Sequence, residues 1–168
     1  MGKEGIVATI RAAAGGDAAA IAAIYNWYIA HSSCTFEEEP LDGGEMAKRI
    51  AAAAPSKPWF VIEEEGDVLG YAYATIWKDR AAYGRSREVT IYLHRDSSGR
   101  GLGKRLYTHL IDEIRKEPIH TLIASIALPN EGSVALHEAL GFTKVGQFNE
   151  VGHKFGEFVD VGYWQLLL

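Results

Sequence analysis

Ser98-Gly99-Arg100-Gly101-Leu102-Gly103 decides how this chain is read, because of what stands on either side of it. Before it, Val89, Ile91 and Leu93 alternate with period two, the pattern of a half-buried strand. After it, Leu102, Leu106, Leu110 and Ile114 recur at helical spacing. A strand that breaks into a glycine-rich turn and opens a helix aims free backbone N–H groups at one point, which is a ready anion site. The stretch therefore predicts a seat for a phosphate-bearing cofactor. A Walker loop fails, since Ser98 stands where its first glycine belongs and Arg105 where Ser or Thr must follow Lys104. A dinucleotide fingerprint fails too, because it needs glycine at 104 or 106, where Lys104 and Leu106 stand.

Working outward, Val7 to Arg11 reads as a short strand, and Asp17 is placed to cap a helix over Ala18 to His31 through its carboxylate. A second helix runs from about Asp42 to Ala54 and is ended by Pro55 and Pro58. Trp59 to Glu64 and Val68 to Trp77 are β-rich and joined by Glu65-Gly66-Asp67, which predicts an antiparallel hairpin. A strand over Glu88 to His94 leads into the glycine turn and a helix over Gly101 to Lys116. A strand over Thr121 to Ala127 follows, then a helix capped by Asn130 and stopped at Gly141. Phe142 to Phe148 and Phe158 to Leu167 supply two last strands. The order β-α-α-β-β-β-α-β-α-β-β is too mixed for a doubly wound sheet and too helical for a sandwich.

The 168 residues, 48% hydrophobic, fit one domain over 1–168. A formal charge of −5, with Lys and Arg scattered, argues against nucleic acid as a partner. No apolar run approaches the ~18 residues of a membrane span, and the N-terminus lacks the apolar core of a leader peptide. The lone Cys34 forbids an internal disulfide and suits a reducing compartment. A soluble, cytoplasmic protein is expected.

Gly101 and Gly103 two apart, beside Arg100 and Lys104, resemble the pyrophosphate motif of the Gcn5-related N-acetyltransferases (GNAT), Gln/Arg-x-x-Gly-x-Gly/Ala, with Ser98 a departure in the first slot. Pro129-Asn130-Glu131-Gly132-Ser133 and Leu136-His137-Glu138-Ala139-Leu140-Gly141-Phe142 are similar to the superfamily's next segment. Ala22 to Asn26, Ile29 to Ser32, Thr35-Phe36, Gly70 to Ala74, Trp77-Lys78, Arg80, Ala82-Tyr83 and Asp160 to Gln165 resemble one branch of it, the phosphinothricin and methionine sulfoximine N-acetyltransferases. The likeness extends over nearly all the chain from about Ile10.

That resemblance implies an α/β (α+β) acyl-CoA N-acyltransferase fold, with a mixed, mostly antiparallel sheet flanked by about four helices. It implies acetyl-CoA as co-substrate, a small-molecule amine as acceptor, direct attack without a metal, and a homodimer joined through the C-terminal strand with Trp164 and Leu166 to Leu168. Gly99, Arg100, Gly101, Leu102, Gly103 and Lys104 would hold the diphosphate. Ile91, Tyr92 and Leu93 would pair through their backbone with the pantetheine arm, near Asn130 and Ser133, the Leu93 amide polarising the thioester carbonyl.

Glu88 would take the amine proton; alternatively it is a surface carboxylate paired with Arg85 or Arg87. His137, where many relatives have tyrosine, either protonates the leaving thiolate or is packed against a carbonyl. Tyr107 and His109 read as structural. Phe36, Lys78, Arg80, Tyr83 and Lys154 fall in segments like the family's acceptor pocket, the cations suiting carboxylate and phosphinyl oxygens. Lys78 and Arg80 also read as solvated loop charges, and Tyr83 as a packed ring. Phe155 and Val159 replace histidines of some phosphinothricin enzymes, which lowers the efficiency expected on phosphinothricin itself. The acidic run Glu37 to Glu39 would instead suit a cationic acceptor such as a polyamine or aminoglycoside if it lined the pocket. A protein N-terminus is a further acceptor to weigh, and a non-catalytic CoA-binding module is the rival of another class.

Overall fold

The computed structural model describes residues 7–168, so part of the leader-peptide expectation, resting on residues 1–6, lies outside the described residues. The elements follow in the predicted order: β1 (Thr9–Ala12), α1 (Ala18–His31), α2 (Gly43–Ala51), β2 (Trp59–Glu64), β3 (Asp67–Ile76), β4 (Ser86–Leu93), α3 (Leu102–Ile114), β5 (Thr121–Leu128), α4 (Glu131–Ala139), β6 (Thr143–Lys154) and β7 (Glu157–Leu167). They build one sheet in the order β1-β2-β3-β4-β5-β7-β6. Every neighbouring pair is antiparallel except β4 and β5, which are parallel. At the β2–β3 turn Glu65 and Gly66 both have positive φ (53° and 89°), the mirror-image turn whose twist matches the strands it joins.

Alternation along the strands divides the apolar residues between two faces. On one, Leu106, Leu110 and Ile114 of α3, with no surface exposed, pack on Val89, Leu122, Ala124 and Ile126. Burying each such leucine or isoleucine contributes about 1.5–3 kcal/mol. On the other, Ile21, Ile24 and Tyr25 of α1 and Met46 and Ile50 of α2 pack on Trp59, Val61 and Tyr71.

Several boundaries differ from the sequence reading. Asp17 stands at the start of α1 but makes no side-chain cap there; its carboxylate accepts from the Ala14 amide at 2.8 Å and from both terminal nitrogens of Arg11, which outcompete the helix amides. α2 stops at Ala51 because Ala54 and Lys57 exchange backbone hydrogen bonds in a turn around Pro55. β6 continues past Phe148 to Lys154: the polar Asn149-Glu150 is not a loop but a bulge, with Glu150 at φ 54° and its amide donating to Asp160 at 2.7 Å. The C-terminal strand does not offer Trp164 to a second copy. That ring is 2% exposed, inside the α3-side core, with Leu166 and Leu168 packed against the same cluster. On the last two strands the exposed apolar side chains are Val145, Phe148 and Val151 of β6, Phe155 at the hairpin tip, and Phe158 and Leu167 of β7, so of the expected C-terminal contact residues Leu167 faces outward.

Candidate active site

β4 and β5 pair only through Ser86, Arg87 and Glu88 opposite Thr121, Leu122 and Ile123, although both strands run on beyond those rungs. The His94 amide donates to Leu69 of the adjoining β3 edge at 2.7 Å, and antiparallel alternation then turns the Ile91 and Leu93 amides the other way, toward the gap. The strands part into a wedge of about 530 Å³, lined by Val89 to Leu93 on one side and Ser125 to Ala127 on the other. Its roof is Tyr28 of α1, whose hydroxyl donates to the Leu93 carbonyl at 2.6 Å. Cys34 also lines it, and burial pushes its thiol above the usual range.

The open end of the wedge meets the glycine turn. Gly99 and Gly101 have φ of 77° and 71°, a left-handed conformation that L side chains rarely adopt, and a Cβ at either would meet only open space. Arg105 is the first α3 residue bonded back, to the Gly101 carbonyl, so the amides of Leu102, Gly103 and Lys104 remain free for an anion. Ser98 explains its own place in the motif: its hydroxyl donates to the Arg95 carbonyl at 3.3 Å and ties the turn together. Lys104 lines the wedge, whereas Arg100 is turned aside into a 2.6 Å ion pair with Glu64. Gly99, Gly101, Leu102 and Gly103 complete the rim, and Asn130 and Ser133 close the far wall. The Asn130 side chain caps α4 by accepting from the Ser133 amide at 3.1 Å.

His137 lines the same wall, yet it is 4% exposed and both of its ring nitrogens are engaged. Nδ1 lies 2.7 Å from the Ser133 carbonyl, which only a ring N–H satisfies, so Nε2, 3.0 Å from the Tyr107 hydroxyl, accepts. Burial pushes its pKa below the ordinary histidine value. Of the two readings left open by the sequence, the geometry is that of a packed helix residue. Tyr107 is fully buried beside it, and His109 sits edge-on to Phe60.

Glu88 occupies the last rung, at the closed end of the wedge, and is half-buried. Neither nearby arginine forms an ion pair with it among the described residues. Arg87 turns to the carbonyls of Ser56, Gly84 and Ser86; Glu88 instead accepts from Ser125 Oγ at 2.9 Å.

The five expected acceptor-side residues fall into two groups. The Lys154 ammonium, 3% exposed, donates to the carbonyls of Ser32 and Thr35, both at 2.8 Å, and burial pushes its pKa down. It therefore pins the α1–α2 loop to the β6–β7 hairpin and has no face toward the wedge. Beside it the tip of the Phe36 ring abuts Gly152, where a Cβ would come within 2.2 Å of the ring. Lys78, Arg80 and Tyr83 form an exposed knob on the β3–β4 loop, with Lys78 Nζ 5.6 Å from the rings of both Trp77 and Tyr83. Trp77 rests edge-on against Tyr163, which is opposite Ser125 in the sheet, so this loop stands next to the Glu88 end of the wedge.

Residues 10–162 match a family described as an acetyltransferase (GNAT) domain. The chain belongs to the GNAT family. It is 42% identical over 156 residues to phosphinothricin N-acetyltransferase of Streptomyces viridochromogenes, which spans 93% of this chain and 85% of that protein. It is 37% identical to L-methionine sulfoximine/L-methionine sulfone acetyltransferase of Salmonella typhimurium, over 95% of this chain and 94% of that one. A GNAT superfamily phosphinothricin acetyltransferase from Sinorhizobium meliloti, solved in complex with AcCoA, superposes with a TM-score of 0.92 at 35% identity, covering 96% of this chain and 88% of that one.

For a GNAT chain, the residues present fit the cofactor: a cradle of unpaired amides with no Cβ in the way at 99 and 101, leading into a slot between parted strands. Among the residues lining the GNAT wedge that the sequence reading did not single out for the site are Tyr28, Cys34 and Ser125. Tyr28 and Cys34 come from the first helix and its loop, with no motif to mark them. Ser125 became visible only once register placed it on the same face as Glu88.

Proposed function

We propose that this N-acetyltransferase moves the acetyl group of acetyl-CoA onto the α-amine of a small amino-acid-like acceptor of the phosphinothricin and methionine sulfoximine type. The observation that carries this reading is the wedge itself, with an amide cradle at one end and a carboxylate at the other. The amides around residues 99–104 hold the diphosphate and Lys104 adds charge. The backbone of Ile91, Tyr92 and Leu93, with Asn130 and Ser133, holds the pantetheine arm. When bound, acetyl-CoA supplies an activated acetyl thioester. An α-amine with a pKa near ~7.7–8.0 is largely protonated at neutral pH, so a base must act, and Glu88 takes the proton. The Leu93 amide donates to the thioester carbonyl oxygen, an interaction that gains strength where water is excluded.

His137 shapes the pocket and does not supply the thiolate's proton, since its only ring hydrogen is bound to Ser133 and burial disfavours its charged form. Attack is direct: the raised thiol of Cys34 makes it a poor acyl carrier. Lys78 and Arg80, with Tyr83 beside them, offer positive charge to the acceptor's carboxylate and phosphinyl oxygens, while Phe36 bounds the acceptor side. Of the acidic run, Glu37 is bound through both oxygens by Arg49 and is not free to hold a polyamine.

A second copy covers the apolar side chains of the edge strand β6, the same patch meeting itself about a two-fold axis. Light scattering then reads two chains, and Phe148→Asp returns one. No helix among the described residues is long and apolar enough to cross a membrane, and acetyl-CoA chemistry with a free thiol suits the cytoplasm. The deciding experiment is free-thiol release from acetyl-CoA with a panel of phosphinothricin, methionine sulfoximine, methionine sulfone, ordinary amino acids, polyamines, aminoglycosides and peptides. Turnover confined to polyamines, aminoglycosides or peptides overturns the amino-acid reading, and no turnover with any amine favours a cofactor-binding module.

A further inference from the structure

Past Glu88 the backbone ladder no longer ties β4 to β5, and the first link beyond the last rung is made by side chains. Ser125 stands two residues after Ile123, the partner of Glu88, so its side chain emerges on the same face of the sheet and reaches back across the opening gap. Its hydroxyl donates to Glu88 Oε1 at 2.9 Å. No other hydrogen bond reaches that carboxylate among the described residues, and Oε2 has no partner there. A glutamate has three side-chain torsions, so an unheld carboxylate beside the last rung spreads over several rotamers and meets an incoming amine in only some of them. One O–H fixes which oxygen is occupied. Because Ser125 also lines the wedge, the bond ties the half-buried carboxylate to a residue of the cleft wall.

We propose that Ser125 is a positioning residue: by engaging Oε1 across the parted strands, it presents Oε2 of Glu88 to the acceptor amine. The proton leaves the amine nitrogen for Oε2, while the serine proton stays on Oγ throughout and no further reactant is required. This rests on Glu88 being the base, and the test separates the two ideas.

Ser125→Ala, Ser125→Thr, Glu88→Gln and the double variant Ser125→Ala/Glu88→Gln are compared for kcat, acceptor KM and acetyl-CoA Kd by calorimetry. Ser125→Ala is expected to lower kcat about fivefold to tenfold, the loss of one hydrogen bond to a charged group, with acetyl-CoA Kd unchanged. Ser125→Thr restores the rate, and in the Glu88→Gln background Ser125→Ala has no further effect. A readout independent of turnover comes from the free protein labelled with 13C at glutamate Cδ. The Glu88 resonance, assigned by its loss in Glu88→Gln, moves in Ser125→Ala and returns in Ser125→Thr. An unmoved resonance, or a Ser125→Ala penalty of equal size in both backgrounds, overturns the positioning role. Glu88→Gln with wild-type turnover overturns the base reading instead, whatever the resonance does.

Discussion

The two ends of the wedge are built in opposite ways. The cofactor end is mostly contiguous: the strand up to Leu93, the turn over residues 98–103 and the first turn of α3 follow one another, and Tyr28 and the start of α4, with Asn130, Ser133 and His137, close around them. The end we assign to the acceptor is assembled from separate pieces, namely Phe36, the loop over residues 77–83, Glu88, Ser125, the Gly152–Lys154 hairpin and Tyr163. Backbone amides do the work at the first end and side chains at the second. A site made of backbone tolerates most substitutions that keep the conformation, whereas a site made of side chains changes with each residue. Cofactor and acceptor preferences can thus vary independently in this scaffold.

That division is open to attack by mutation. The largest effect is expected from Glu88→Gln, which removes the base and lowers kcat about a hundredfold or more while acetyl-CoA affinity by calorimetry stays put. A matching loss of cofactor affinity would merge the two ends. Next is Gly101→Val, which puts a β-branched side chain at φ 71° and costs about 1–2 kcal/mol, or roughly fivefold to thirtyfold in acetyl-CoA Kd if the strain is relieved by misplacing the cradle. Acceptor KM measured at saturating acetyl-CoA should not follow. Gly152→Ala probes the other end: its Cβ drives into the Phe36 ring, and acceptor KM rises several-fold, roughly one to two kcal/mol of overpacking strain, with cofactor Kd unchanged.

The smallest effect sharpens the assignment of His137. A histidine whose folded pKa is depressed by burial contributes stability that is full above the unfolded value of about 6.5 and is lost as pH falls below it, because the unfolded chain then binds a proton that the native one refuses. The slope from this one group is at most about 1.4 kcal/mol per pH unit. Urea unfolding between pH 7 and 5 should therefore fall less steeply for His137→Gln than for the parent chain. Equal slopes would mean that the imidazole is not held neutral in the fold.

The same contrast explains what could be read in advance. Period-two and helical spacing placed every strand and helix, because each pattern reflects one buried face, and a turn of glycines followed by a helix start announces its free amides in consecutive letters. Lys154 shows the opposite case. Its charge suggested an acceptor contact, but nothing along the chain says that residues 32 and 35 bring two carbonyls to its ammonium. Arg100 was legible as a cation beside the turn and not as the partner of Glu64, thirty-six residues earlier. His137 stayed ambiguous for the same reason: its environment is set by Tyr107, on a different helix. The strand expected to end at Phe148 runs on to Lys154, because the bulge at Asn149-Glu150 interrupts its period.

Parting β4 from β5 also has a cost that lies outside the chemistry. It creates a raw sheet edge in the interior of the protein, and such edges invite stray extended chains to add themselves as strands. Here the invitation is short. Three rungs shut one end, and the Tyr28 hydroxyl already occupies the Leu93 carbonyl, leaving a recess better matched to a slender unbranched arm than to a polypeptide bearing side chains on both faces. The flaw that lets the small molecule in is kept too small to nucleate aggregation.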